Sequence, residues 1–254
     1  MKKIIFLFPI ILVLCLATAT AFAQEDVEYI EPTASSNSIG GAVGLGYTYD
    51  TRDMNRLALD TNIQLPYRFS YYSYFNFNSQ MAVDGANFEI DNFYSEHNLW
   101  WNPYEPIPVD LALQYVIAQG AGNDMLQLGL RWRLSDTVWI KNYCEMIHLT
   151  LSSQVHPLQT DLDASAGWGF SFEHRWSLQI LPERFSKRFV MSGFLDHYLN
   201  YGGPANGNHH SFVVENELAV RVWGNFSALA AYRFSDYDVR QHGLAFGAKY
   251  VVNF

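Results

Sequence analysis

Apolar residues recur at every second position through almost the whole chain, and this alternation restricts the fold more than any other feature. The clearest run spans Ala164 to Ile180. Trp168, Phe170, Phe172, Trp176, Leu178 and Ile180 fall on one side, with Ser165, Ser171, Glu173, Arg175, Ser177 and Gln179 on the other. A period of two sends successive side chains to opposite faces of an extended strand, whereas a helix would group residues three and four apart.

The same dyad is legible along the chain. Val43, Leu45, Tyr47 and Tyr49 share a face opposite glycines, and Leu126, Leu128, Leu130, Trp132 and Leu134 stand against Gln127, Arg131 and Arg133. Phe212, Val214, Leu218, Val220 and Val222 stand against Glu215, Glu217 and Arg221. Arg233 takes the polar side of 226–234, while Phe189, Met191, Leu195 and Leu199 take the apolar side of 187–201. Weaker runs at 57–65, 68–79, 88–101, 109–118 and 138–151, with a last one at 244–254, make twelve expected strands. Their connections alternate between short ("LPYR", "NPYEPIP", "SDT", "LPERFSK", "WGN") and long polar ones ("DTRDMNR", "SQMAVDGAN", "QGAGND", "SSQVHPLQTDLDAS", "NYGGPANGNHH", "SDYDVRQHG").

Alternation by itself also suits a soluble sandwich or a lipocalin-like barrel. Aromatic residues are 16% of this chain and charged residues 16%, so the rings need an apolar place to go. Long strands, Trp and Tyr near strand ends, and charges gathered opposite the apolar face favour lipid outside and a polar lumen inside. An even number of antiparallel strands with tight turns at one end and long loops at the other is the plan of a bacterial outer-membrane barrel. The expected fold is therefore all-β, an antiparallel transmembrane barrel of about twelve strands over 39–254. Both termini lie at its periplasmic end, and membrane lipid is its first partner.

The N-terminus agrees with export. Residues 1–23 carry two lysines, an apolar stretch and the small-residue site Ala21-Phe22-Ala23, the layout of a signal peptide cut before Gln24. A retained membrane helix would need ~20 apolar residues, and a lipoprotein processed at Cys15 would need a small residue where Leu14 stands. Residues 24–38, acidic and aperiodic, read as a periplasmic leader, with a lumenal plug as the alternative. Only Cys144 survives cleavage, so no internal disulfide forms, and the cysteine reads as an inert apolar residue. Losing Lys2 and Lys3 leaves a net charge of −11, which speaks against nucleic acid as a partner.

With lipid outside, the polar faces line a lumen. The wall would carry Tyr72, Tyr74, Asn76, Arg131, Arg133, Lys141, Tyr143, Glu145, Glu173, Arg175, Glu215, Glu217, Arg221, Arg233 and Lys249, with Glu173, Glu217, Arg131 and Lys249 near mid-height. Twelve strands fall between ~8, where side chains fill the interior, and ~16, where a wide channel opens. A narrow pore for small polar solutes follows. The alternative is a sealed barrel whose charges neutralise one another.

The layout, with "QLPYRFSYYSYFNFNS" early and "LAFGAKYVVNF" last, resembles the nucleoside-specific channel-forming (Tsx-like) outer-membrane proteins. That resemblance implies a narrow monomeric channel, lined with aromatic and ionisable residues, that passes nucleosides; no cofactor is expected. The ending Tyr250, Val252, Phe254 resembles the assembly signal of outer-membrane barrels, which implies that the barrel-insertion machinery is a partner.

Enzyme readings meet obstacles. Outer-membrane phospholipases carry a His and a Ser two positions on, both facing lipid. In "FEHRWS" His174 lies on the apolar face, but Trp176 stands two positions on and Ser177 points inward. "HHS" has His209 and Ser211 at the right interval, in a Gly- and Asn-rich loop with nothing to orient the histidine. The chain is not expected to be an enzyme. His156, His209, His210 and His242 fall in expected outer loops, where solvated histidines are commoner than a metal site, so no metal is expected.

Overall fold

A computed structural model describes residues 39–80, 90, 92–118, 124–161, 168–203 and 207–254. The expected signal peptide, leader and the greater part of four outer loops (81–89, 119–123, 162–167 and 204–206) lie outside the described residues.

Twelve strands form one closed antiparallel barrel: β1 (Gly40–Asp50), β2 (Met54–Leu65), β3 (Phe69–Gln80), β4 (Asn92–Trp101), β5 (Val109–Ala118), β6 (Met125–Arg133), β7 (Leu149–Asp161), β8 (Trp168–Gln179), β9 (Phe189–Gly203), β10 (Gly207–Trp223), β11 (Phe226–Ser235) and β12 (His242–Asn253). Each strand pairs with its sequence neighbours, and β1 closes on β12 with Leu45 opposite Tyr250 and Val43 opposite Val252. Closure leaves no edge, so every strand has neighbours on both sides for its backbone N–H and C=O groups.

Burial runs opposite to that of a water-soluble protein. Leu128 is 49% exposed, Phe246 53% and Val252 46%, whereas Asn98 and Gln127 are 0% exposed and Glu96 1%. Register shows why: residues directly opposite share a face, and the inward set reads Ser70-Trp100-Ala112-Gly129 or Tyr74-Glu96-Val116 across neighbouring strands. An apolar outer surface around a closed strand cylinder is stable only in lipid, so this is a transmembrane barrel.

Two glycines let backbones approach. Gly129 sits at the β6/β7 register shift, where an added Cβ would lie 1.9 Å from the Val155 carbonyl oxygen. At Gly193 the same atom would meet the Glu215 carbonyl at 2.2 Å and the Trp176 ring at 2.7 Å. The lipid-facing Trp176 thus lies over a strand position with no side chain.

The turns correct three sequence expectations. "DTRDMNR" is a tight turn at Thr51–Asp53, because Asp50 accepts both the backbone N–H and the guanidinium of Arg52, and Arg56 already belongs to β2. Most of the run 138–151 is not strand: Val138–Met146 is a helix, α1, between β6 and β7, and only 149–151 belong to β7. Trp132 Nε1 donates to Thr137 Oγ1 at 2.9 Å, which ties the start of α1 to the lipid-facing side. Val138, Trp139, Tyr143 and Met146 are 85, 75, 61 and 67% exposed, and only Cys144 is buried. Finally, β7 extends through Asp161, so "SSQVHPLQTD" is wall and not loop. A second short helix, α2 (Pro182–Phe185), joins β8 to β9.

Candidate functional site: the barrel lumen

Tyr72, Tyr74, Arg131, Arg133, Glu173, Arg175, Glu215, Glu217, Arg221, Arg233 and Lys249 all occupy inward positions of the wall. Tyr143 does not, nor do Lys141 and Glu145: they sit on α1, outside the barrel wall. The misreading has a physical source. In "VWIKNYCEMI" apolar residues fall at spacings compatible with either period, and only the packing of Cys144 selects the helix.

The inward residues sort into three groups. At the short-turn end, Arg131 pairs with Asp110 through a short charged contact, while Arg133 Nε stands 3.2 Å from Asp136 and 3.6 Å from Asp110. Asn102 Nδ2 donates to Asp110 at 3.1 Å. Arg131 therefore lies near the end of its strand, not at mid-height as expected, and Arg221, donating to the Ser186 carbonyl at 3.0 Å, sits at the same rim.

At mid-height Arg175 of β8 reaches across the lumen to Glu96 of β4, donating at 2.7 Å, and also contacts Glu173. Its guanidinium carbon lies 4.4 Å from the Tyr72 ring centre and 5.7 Å from that of Trp100, over which Arg131 also lies, at 3.8 Å. Glu96 accepts from Tyr74 (3.0 Å), Tyr94 (3.2 Å) and Asn98 (2.6 Å) besides Arg175. Gln114 donates to Glu173 at 3.2 Å, Gln154 contacts it more closely, and Trp100 Nε1 donates to Gln154 at 2.9 Å. The Arg175–Glu96, Gln114–Glu173 and Trp100–Gln154 bonds join strands three or four places apart around the ring, so these three are chords across the interior. Charge-assisted bonds of this kind are about twice as strong as neutral ones.

Against the remaining wall runs a ladder of alternating charge. Asp238 of the β11–β12 loop pairs with Arg52, Arg52 with Asp50, Asp50 with Arg233, Arg233 with Glu215, and Glu215 with Arg56 of β2 at 2.9 Å. Lower on this wall Lys249 pairs with Asp60, and Glu217 lies one inward position from Glu215. Here the side chains keep accessible area inside the barrel: 26% for Lys249, 27% for Asp60, 17% for Arg56 and 16% for Glu215.

Sequence reasoning missed Glu96, Asp110 and Asp196. Glu96 and Asp110 lie on β4 and β5, where the dyad was weak, and Asp196 was hidden among aromatic residues; an inward-parity count from the tight turns would have found all three. The described side chains of His156, His210 and His242 each have a different neighbour. His156 is buried in the wall with Nδ1 3.1 Å from Ser171 Oγ, His242 is 2.8 Å from the Tyr232 hydroxyl, and His210 Nδ1 is 3.4 Å from His197 Nε2. His209 lies on β10, not in a loop. Among the described residues no three His, Cys, Asp or Glu side chains have metal-ligand spacing. His174 faces lipid and Ser177 the lumen, as expected. Ser153 stands opposite His174 on the lipid side, and no hydrogen bond joins the two. Tyr250, Val252 and Phe254 face outward, and Phe254 is held by a reciprocal backbone pair with Gly41 at 2.9 and 3.0 Å.

No protein-family profile matches the chain, and no curated protein matches it. Among solved structures it is similar to a KdgM porin, with 11% identity over 82% of this chain and 98% of that one and a TM-score of 0.47. It is similar also to a NanC porin, with 11% identity, 83% and 98% coverage and a TM-score of 0.49. A third is an outer-membrane channel from Pseudomonas putida F1, with 10% identity, 89% and 100% coverage and a TM-score of 0.44. At this distance they carry no information on the solute, and the functional reading rests on the lumen itself.

Proposed function

We propose that the chain is an outer-membrane protein forming a narrow passive channel for small polar solutes, with planar ones such as nucleosides favoured by the aromatic wall. One observation carries the reading. Charged side chains that point inward from mid-strand, Lys249, Asp60, Glu215 and Arg175, keep 16–27% of their surface accessible, which a filled interior would not permit. Tyr72, Tyr74, Tyr94 and Trp100 form a strip of rings on β3 and β4 beside this space, with Tyr74–Tyr94 centres 5.6 Å apart and Tyr72–Trp100 centres 6.3 Å apart. Rings offer any planar solute a face, and charges set into a confined wall select among polar ones.

A sealed barrel is the second reading, favoured by Asn98, Gln114, Gln127 and Glu96, which are 0–2% exposed. Planar-bilayer recording separates the two. The channel reading expects discrete conductance from the folded parent and block by added nucleosides. Tyr74→Ala should weaken that block by up to about tenfold, since loss of a stacking partner costs ~1–3 kcal/mol and a wet pore lies at the low end. A folded parent with no conductance would leave the sealed barrel.

A further inference from the structure

The mid-height network is short of positive charge. Glu96, Glu173 and Asp196 meet there, and Arg175 is the base that binds two of them. Asp196 stands directly opposite Glu173 in the β8–β9 register, is 7% exposed, and its Oδ1 has no hydrogen-bond partner. A buried carboxylate oxygen left unbonded is costly, and proteins place such groups where a donor arrives from elsewhere.

The surroundings define that donor. Asp196 is within electrostatic reach of the hydroxyl groups of Tyr74, Tyr94 and Tyr198, and all three rings are only half-buried. Tyr198 is the next inward residue along β9. A carboxylate among aromatic rings suits an ammonium group carried on an apolar or planar body, because rings attract the cation while the carboxylate accepts its N–H. A bare metal ion fits less well, since no three ligands have the required spacing among the described residues.

We propose that Asp196, with Tyr74, Tyr94 and Tyr198, forms a lumenal site for a small organic cation, a protonated primary amine attached to a ring. The inference rests on the channel reading and names the solute charge that the constriction favours. Nucleosides then represent the neutral end of the accepted class.

The test uses the full-length barrel in planar bilayers with two probes of similar shape, tyramine and the uncharged 4-ethylphenol. Tyramine should block or permeate at about tenfold lower concentration than 4-ethylphenol, a ratio set by one carboxylate–ammonium contact and its ring neighbours. Asp196→Asn should abolish the difference, while Glu183→Gln on α2, outside the lumen, should leave it unchanged. Tyr94→Phe should retain the preference and Tyr94→Leu reduce it, which keeps the site testable if the Asp196 variant does not fold. A conducting parent that treats both probes alike, or an Asp196→Asn barrel that discriminates as the parent does, overturns the site. Absence of any potassium chloride conductance would instead overturn the channel reading.

Discussion

Replacing Arg175 by Gln should convert the constriction into a strongly cation-selective one. In the parent, this guanidinium bonds Glu96 at 2.7 Å, contacts Glu173, and spans the lumen from β8 to β4. Glutamine is shorter and uncharged, so both the chord and one positive charge disappear. An ion separated from the guanidinium by one water layer lies roughly 6 Å away. At that distance a unit charge acts with about 0.7 kcal/mol at bulk-water screening and about 1.4 kcal/mol at half that dielectric constant. Loss of the charge helps a cation and hinders an anion by the same amount. The cation-to-anion permeability ratio should therefore rise about tenfold in the first case and about a hundredfold in the second. The reversal potential under a potassium chloride gradient measures this ratio, and single-channel conductance should rise as well. The carboxylates left behind, Glu96 and Glu173, are 2% and 6% exposed, so the folding penalty should reach the ~3–5 kcal/mol of breaking a buried pair. A heat-modifiable band on a gel verifies folding. A folded variant with the parent's reversal potential and conductance would show that ions do not pass Arg175, and the reasoning would fail.

Phe254→Ser should lower the yield of folded barrel much more than Phe234→Ser, read as the heat-modifiable fraction; equal assembly of both would remove the terminal assembly signal. An epitope inserted after Val239, which is fully exposed in the β11–β12 loop, should be reached by antibody on intact cells, while one at Gly224 in the tight β10–β11 turn should stay hidden. The reverse pattern would invert the orientation. Trp139 on the exposed face of α1 should be quenched by brominated lipid, since Val138, Tyr143 and Met146 share its exposure and Trp132 ties the helix start to the lipid-facing wall. Emission indifferent to the bromine would place α1 in water.

The dyad pattern, read with the aromatic content and the alternation of tight turns and long loops, determined that the chain is an antiparallel barrel with lipid outside, because in a closed antiparallel sheet parity assigns every side chain to one of two environments; it placed β7 too early, over the helix α1. For the same reason the inward positions of Glu173, Arg175, Glu215, Glu217 and Lys249 were legible one residue at a time. Parity says nothing about what lies across the barrel. That Arg175 meets Glu96, that Arg56 meets Glu215, and that Asp196 is left with an unbonded oxygen depend on strand stagger and side-chain reach, which bring the first two pairs together from 79 and 159 positions apart. Tyr143 fails in the other direction. Its local pattern fitted a strand, and only the packing of Cys144 beneath α1 took it out of the wall and set its ring on the outer face of a helix.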